Sequence, residues 1–149
     1  MRIGVDIDDT LVDLVTPFTE FHNEAYGTSL RKADFITYAT WQIVGGTHED
    51  DLRKFAEFDQ TAHAKNMKPM DGACAAIDVL SKVHELCIIT ARPESFVSET
   101  HLWLREHFPE KFKDIYFAQD YKTSAVTRQH KADFVTQLGV HMFIDDNMR

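Results

Sequence analysis

Two aspartates directly follow a short apolar run at the start of the chain. Ile3-Gly4-Val5 precedes Asp6 and Asp8, and the turn-prone pair Asp9-Thr10 comes next. A short apolar run that ends in turn residues is typical of a buried strand in a parallel sheet. Side chains two residues apart on an extended segment point the same way, so both carboxylates should face one site. Two carboxylates that close repel each other, so the pair indicates either a bound divalent cation or a nucleophile and an acid that share the chemistry. The alternative is a turn that merely closes the strand.

Further apolar runs alternate with helical patterns in the second half of the chain. Three more strands are predicted at residues 86–89, 115–117 and 142–144. Helices are predicted between them, beginning at Asp71, at Pro93 and Ser95, and at Lys131. The first of these helices should bury an apolar stripe at helical spacing, made of Ala76, Val79, Leu80 and Val83. Strands that alternate with helices predict an α/β fold with a three-layer parallel sheet.

Residues 15–68 carry helical patterns and no convincing strand. Thr16 is a predicted N-cap, and Thr47 is a second one because an acidic residue three positions on completes a capping box. The sequence therefore predicts a helical insertion after the first strand. We expect residues 1–14 and 69–149 to form the α/β core and residues 15–68 to form a helical cap.

Charge, hydropathy and cysteine content exclude several classes of protein. The 149 residues carry a formal net charge of −8, which argues against a nucleic-acid polymer as the partner, since phosphate backbones need a basic face. No apolar run approaches the roughly 20 residues of a membrane-spanning helix, and no signal peptide precedes Met1. Cys74 and Cys87 lie in apolar segments without metal-ligand spacing, so we expect buried thiols in a cytoplasmic protein.

Polar residues end three of the four predicted strands, and the carboxyl ends of parallel strands share one edge where ligands bind. These residues are Asp6 and Asp8, then Thr90-Ala91-Arg92, then Asp145-Asp146. Lys131 begins a helix that runs opposite to the strands, so it should reach the same edge. Carboxylates suit Mg²⁺ or a covalent nucleophile, while a lysine and a hydroxyl can hold phosphoryl oxygens. The set fits phosphoryl transfer from a small phosphomonoester.

These motifs resemble those of the haloacid-dehalogenase-like phosphatase superfamily. The Asp-x-Asp-x-Thr signature at residues 6–10, the strand ending at Thr90, Lys131 and the acidic pair 145–146 occur in the superfamily's order. The insertion is similar to a C1-type helical cap on a Rossmann-like core. Ile89-Thr90-Ala91-Arg92-Pro93 and Phe143-Ile144-Asp145-Asp146-Asn147 are similar to the 5'(3')-deoxyribonucleotidase branch.

The resemblance implies catalytic and metal-binding roles. Asp6 would be the nucleophile and a Mg²⁺ ligand, and Asp8 the general acid/base, with its backbone carbonyl on the metal. Asp146 would bind the metal directly, with Asp145 in support. The implied enzyme is a Mg²⁺-dependent phosphomonoester hydrolase that forms an aspartyl-phosphate and acts on a nucleoside monophosphate. A phosphatase for a sugar phosphate and a non-catalytic phosphate- or partner-binding module are the alternatives.

The resemblance also implies a phosphate site. Thr90 and Lys131 would hold the phosphate, with help from the backbone at Asp9 and Ala91. A turn cap and a solvated lysine are the ordinary alternatives for the two side chains.

Three residues are candidates for substrate specificity. Arg92 is either a substrate contact or part of a surface salt bridge. Phe18 and Trp41 are candidate lining residues of a nucleobase pocket, because aromatic rings stack on bases. Aromatic residues at helical spacing are more often core, and that interpretation is favoured for both.

The end of the sequence departs from the superfamily pattern. Arg149 follows Asp146 by three residues, whereas relatives continue with another helix and usually another strand. Three explanations stay open: a partner chain, such as a second copy in a homo-oligomer, covers the sheet edge; the sequence is a fragment; or the site is weaker than the motifs indicate.

Overall fold

The computed structural model describes residues 1–37, 39–93, 96–118 and 131–146 and divides the chain into two compact units. One, the sheet unit, comprises Met1–Leu11 and Pro69–Arg149. The other, the helical unit, comprises Val12–Lys68. The predicted role of the helical unit as a cap stays a prediction.

A parallel sheet forms the centre of the sheet unit. Its strands are β1 (Arg2–Val5), β2 (Glu85–Thr90), β3 (Asp114–Phe117) and β4 (Met142–Ile144). They lie in the order β3-β2-β1-β4, and each pairing is parallel. Val5, the last residue of β1, lies opposite Ile88 on β2 and Ile144 on β4. The predicted strands and the α/β fold class, a parallel sheet flanked by helices, are confirmed.

Short helices account for the remaining regular structure of the described residues. Those of the helical unit are α1 (Val15–Tyr26), a 3-10 turn (Lys32–Asp34), α2 (Trp41–Val44), α3 (His48–Phe58) and α4 (Ala62–Lys65). Those of the sheet unit are α5 (Ala73–Leu80), α6 (Val97–His107) and α7 (Lys131–Gln137). Within the described ranges, no helix is long and apolar enough to cross a membrane.

Gly4 allows close packing at the middle of β1. A Cβ atom at this position would lie 2.9 Å from Cδ2 of Phe143 and 3.0 Å from Cδ1 of Ile89. Such distances are too short for ordinary carbon contacts. Phe143 of β4 therefore packs over the central strand because position 4 has no side chain.

Two predictions about α5 are wrong. Gly72, with φ +84°, is the N-cap instead of Asp71. The helix buries Ala73 and Ile77, one turn apart, whereas Val79 is 64% exposed. Of the rest of the predicted stripe, Ala76 and Val83 are also exposed, and Leu80 is half-buried. Apolar residues occupy more than one face of this helix, so spacing alone selected the wrong one.

The start of α6 and the state of the two thiols also bear on the sequence predictions. The helix begins at Val97, beyond Pro93, and Ser95 lies outside the described residues. Cys87 is buried as expected, but Cys74 on α5 is exposed, which corrects that prediction.

The helical unit has an aromatic core of its own. Phe18, Phe21, Val44 and Phe58 are buried together. The predicted cap at Thr47 is confirmed, because its hydroxyl accepts from the Asp50 amide and the Asp50 carboxylate accepts from the Thr47 amide. The predicted cap at Thr16 is wrong. Helix α1 begins at Val15, and Asp13 Oδ1 accepts from the Thr16 amide at 3.3 Å.

Candidate active site

The end of β1 positions both aspartates of the first motif. The Asp6 amide donates to the carbonyl of Ile144 at 2.9 Å and extends the pairing with β4 by one residue. Ile7, between the two aspartates, is fully buried. On an extended chain its side chain points to the side opposite those of Asp6 and Asp8. The chain then turns through Asp9, whose φ of +52° lies in the left-handed region, where aspartate is tolerated better than most residues.

Lys131 bridges the carboxylates of two different strands. Its Nζ lies 2.8 Å from Oδ2 of Asp6 and 3.0 Å from Oδ2 of Asp145. Lys131 is the first residue of α7, so the helix presents it at the carboxyl edge of the sheet. The structure thus brings together the lysine, the first motif and the last motif, which are widely separated in the sequence.

The environment of Asp6 perturbs its ionisation. Its side chain is almost fully buried, and this burial, with a smaller contribution from Asp8, raises the pKa of Asp6 to about 7. The ammonium group of Lys131 opposes that rise. Burial works against the charge of Lys131, but Asp6 and Asp145 outweigh it and raise the pKa of the lysine. Ionised Asp6 is therefore stabilised by one neighbouring cation and lies in a site that favours a second.

Three carboxylates at this edge can share a cation. Oxygen atoms of Asp6, Asp145 and Asp146 lie within 4.8 Å of one another. Oδ1 of Asp6 is buried and has no hydrogen-bond partner among the described residues. The Thr10 hydroxyl accepts from the Asp146 amide at 3.1 Å and so ties the first motif to the last. An acidic set of hard oxygen donors around an unsatisfied buried oxygen fits a divalent ion such as Mg²⁺.

Arg92 holds the second aspartate of the first motif. Its Nε lies 3.1 Å from each oxygen of Asp8, and its Nη2 lies 2.6 Å from Oδ1. On its other side, Nη1 donates to the Thr100 hydroxyl at 3.3 Å. The structure therefore shows Arg92 in a salt bridge, but a buried one and not the surface pair of the prediction, because the arginine side chain is only 11% exposed. Thr100 is fully buried on α6, and no sequence motif marked it.

Thr90 lies at the end of β2, and its hydroxyl accepts from the Arg92 amide at 3.2 Å. Its side chain is fully buried, and Ala91 beside it is half-buried. The backbone at Ala91 lies at the carboxyl edge of the sheet, as does the left-handed turn at Asp9. The phosphate-binding roles of these residues stay predictions.

The two aromatic candidates belong to the helical unit. Phe18 is buried in its core and stacks on Phe55 at 4.2 Å between ring centroids, which agrees with the favoured core interpretation. Trp41 begins α2, is partly buried and meets the ring of His48 edge-on at 4.8 Å.

Solved structures with this fold are haloacid-dehalogenase-like hydrolases. One from Streptococcus pneumoniae aligns with a TM-score of 0.66 at 16% identity and covers 99% of this chain and 76% of its own. A subfamily IA hydrolase of the same superfamily from Geobacter sulfurreducens aligns with a TM-score of 0.59 at 19% identity, over 99% of this chain and 78% of its own. At these identities, the alignments show that this chain shares the fold of that class of hydrolases.

The sequence identifies the family within that class. Residues 1–134 match the family described as "5' nucleotidase, deoxy (Pyrimidine), cytosolic type C protein", and the chain belongs to this family. A Bacillus cereus protein that is provisionally named a nucleotidase is 26% identical over 150 aligned residues, covering 98% of this chain and 76% of the relative. The predicted superfamily, the branch and the assignment as an enzyme are confirmed.

Proposed function

We propose that this phosphatase is a Mg²⁺-dependent nucleotidase that hydrolyses nucleoside monophosphates through an aspartyl-phosphate. The observation that carries the proposal is the buried carboxylate of Asp6, which lies 2.8 Å from Lys131 and within a cluster of three acids. A buried carboxylate beside cationic groups is a suitable nucleophile for a phosphoryl group, which itself bears negative charge.

In the first step, an oxygen of Asp6 attacks phosphorus and the bond from phosphorus to the ester oxygen breaks. Asp8, two residues further along the same extended segment, donates its proton to the departing oxygen. Lys131, the Thr90 hydroxyl and the backbone amides at Asp9 and Ala91 hold the equatorial phosphoryl oxygens as charge redistributes.

In the second step, water attacks the phosphorus of the aspartyl-phosphate. Asp8, now ionised, takes a proton from that water, and the bond from phosphorus to the Asp6 oxygen breaks. Inorganic phosphate leaves, Asp6 is again a carboxylate, and Asp8 has recovered its proton. One residue therefore serves as acid and then as base, which requires its carboxyl group to lie near both oxygens in turn.

We assign the cation to the three clustered acids, with Asp6 and Asp146 as direct ligands, Asp145 in support and the Asp8 carbonyl as a further ligand. Bound Mg²⁺ would neutralise phosphoryl charge during transfer.

The family description and the named relative support a nucleotide as the substrate. The description "cytosolic" likewise supports a cytoplasmic location. We propose that the helical unit acts as a cap that excludes water and selects the substrate, with Trp41 as its candidate aromatic contact for a base.

A substrate panel tests the proposal. Phosphate release is measured from nucleoside 5'- and 3'-monophosphates and from sugar phosphates, with Mg²⁺ and with a chelator. We expect release that prefers one set of nucleotides and stops in the chelator. Equal release from nucleotides and sugar phosphates would keep the phosphatase but reject the nucleotidase. Binding of phosphate and Mg²⁺ without release from any ester would favour a non-catalytic module.

A further inference from the structure

Arg92 is fixed at three points around the candidate active site. Its amide donates to the Thr90 hydroxyl, its Nη1 donates to the buried Thr100 hydroxyl, and the rest of its guanidinium contacts Asp8. The arginine side chain is 11% exposed, so it is not one of the solvated surface pairs that contribute little. A planar guanidinium that binds both oxygens of a carboxylate also restricts the orientation of that carboxylate.

The contacts distinguish the two oxygens of Asp8. Oδ1 accepts from both Nε and Nη2, and the Nη2 contact is the shortest of the three at 2.6 Å. Among the contacts of the described residues, Oδ2 accepts from Nε, at 3.1 Å. Among the described residues, Oδ2 is therefore the oxygen with fewer contacts to Arg92.

We propose that Arg92 is a positioning residue that anchors Oδ1 of Asp8 and directs Oδ2 toward the ester oxygen and, later, toward the attacking water. The inference rests on the proposed function, in which Asp8 is the acid and base. Arg92 then acts through Asp8 and does not itself contact the nucleotide. Thr100 in turn holds the guanidinium in place.

The test exploits the chemistry of the leaving group. A nucleoside alkoxide needs a proton as it departs, whereas the nitrophenolate of p-nitrophenyl phosphate departs without one. We compare kcat/KM for both esters in the wild type, Arg92→Met, Arg92→Lys and Asp8→Asn. A matched control, Arg105→Met, removes an exposed arginine of α6.

For Arg92→Met we expect kcat/KM to fall about 10²-fold on the nucleotide, the size of loss that a misplaced catalytic group can cause, and only a few-fold on the aryl ester. Arg92→Lys should recover part of the loss.

Arg92→Met should also leave the attacking water without a well-placed base. In this variant the aryl ester should therefore give a burst of nitrophenol followed by slow turnover. Asp8→Asn should show the same pattern, and the double variant should lose little more than Asp8→Asn alone. Arg105→Met should match the wild type.

An equal fall for both esters, or losses that add in the double variant, would overturn the inference while leaving the nucleotidase intact. A rise in KM confined to nucleotides, with kcat unchanged, would instead make Arg92 a substrate contact. If the wild type hydrolyses neither ester, both the proposed function and this inference are rejected.

A second variant, Thr100→Val, serves if Arg92→Met does not fold, because it removes only the Nη1 contact. We expect it to lower the ratio of kcat/KM for the nucleotide to kcat/KM for the aryl ester several-fold. An unchanged ratio would count against the inference.

Discussion

The ammonium group of Lys131 lies 2.8 Å from the carboxylate of Asp6, whose side chain is 6% exposed, whereas that of the lysine is 20% exposed. A buried charge depends on its partner more strongly than a solvated one does, because water cannot replace the lost contact. This pair therefore links the stability of the sheet unit to the chemistry proposed for it, and the first two predictions separate these contributions.

Lys131→Met should reduce both turnover and stability. Loss of one charged contact to the transferring group should lower kcat about 10²–10³-fold. The free energy of unfolding at pH 8 should fall by less than the roughly 3–5 kcal/mol of a fully buried pair, because the lysine keeps some contact with water. Denaturant titration and steady-state kinetics measure the two effects. Lys111→Met, which removes the surface partner of Asp78, is the control, and equal behaviour of the two variants would contradict the prediction.

Asp6→Asn should abolish turnover without unfolding the protein. An amide cannot act as the nucleophile, but it fills the same buried space and removes a charge that burial disfavours. We expect no phosphate release and a midpoint of thermal unfolding within a few degrees of the wild type. Asp78→Asn, on the exposed side of α5, should leave both values unchanged. Near-normal turnover in the Asp6 variant would reject the assignment of the nucleophile.

Magnesium should raise the stability of the wild type, since a ligand that binds only the folded state stabilises it. At about 100 times its Kd the gain should be near 2.7 kcal/mol. Asp146→Asn should shift the Mg²⁺ titration to higher concentration, as read by calorimetry and by the thermal midpoint. The control is Asp133→Asn on α7, outside the acidic cluster. An Asp146 variant with unchanged Mg²⁺ affinity would mean that the ion binds elsewhere.

The pKa of Asp6 makes the metal-free protein less stable as the pH rises. The group titrates near 7 in the folded state and near 3.9 in the unfolded chain, so the folded state holds the extra proton between these values. Its contribution to stability is fully present below about pH 4 and is lost as the pH rises through 7. In chelator, the stability of the wild type relative to Asp6→Asn should fall by about 2–3 kcal/mol from pH 5 to pH 8.

This difference isolates position 6, because other titrating groups are common to both proteins. A relative stability that is independent of pH, or that rises with pH, would mean that Asp6 is already ionised at pH 5. Mg²⁺ competes with the same proton, so its stabilising effect should be larger at pH 8 than at pH 5.

The sequence predicted the parallel sheet and the convergence of distant motifs at one edge of it. Both predictions follow from simple rules. Short apolar runs between helical patterns are typical of strands in a parallel sheet, and parallel strands bring their carboxyl ends to one edge. The position of Lys131 at the start of α7 follows from the same rule. These features depend on the order of residue types and need no knowledge of side-chain packing.

Details that depend on packing were not predictable. Helix α5 buries Ala73 and Ile77, but other apolar residues of the helix have helical spacing too, so spacing alone could not select the buried face. Helix α1 begins at Val15, one residue before the predicted cap, and Asp13 Oδ1 accepts from the Thr16 amide. The hydrogen bond from Arg92 to Thr100 joins a loop to a buried helical threonine, and threonine at such a position is indistinguishable in sequence from an ordinary core residue.

The close contact of Gly4 with Phe143 connects position 4 to the acidic cluster, although Gly4 is not a member of that cluster. One base separates a glycine codon from an alanine codon, and the added methyl group would come 2.9 Å from the Phe143 ring. Phe143 lies on β4 and Asp145 directly follows that strand, so we expect a displaced ring to shift the carboxylate that pairs with Lys131. We therefore expect selection on the proposed activity to retain glycine at position 4, so this position should be among the least variable of the chain.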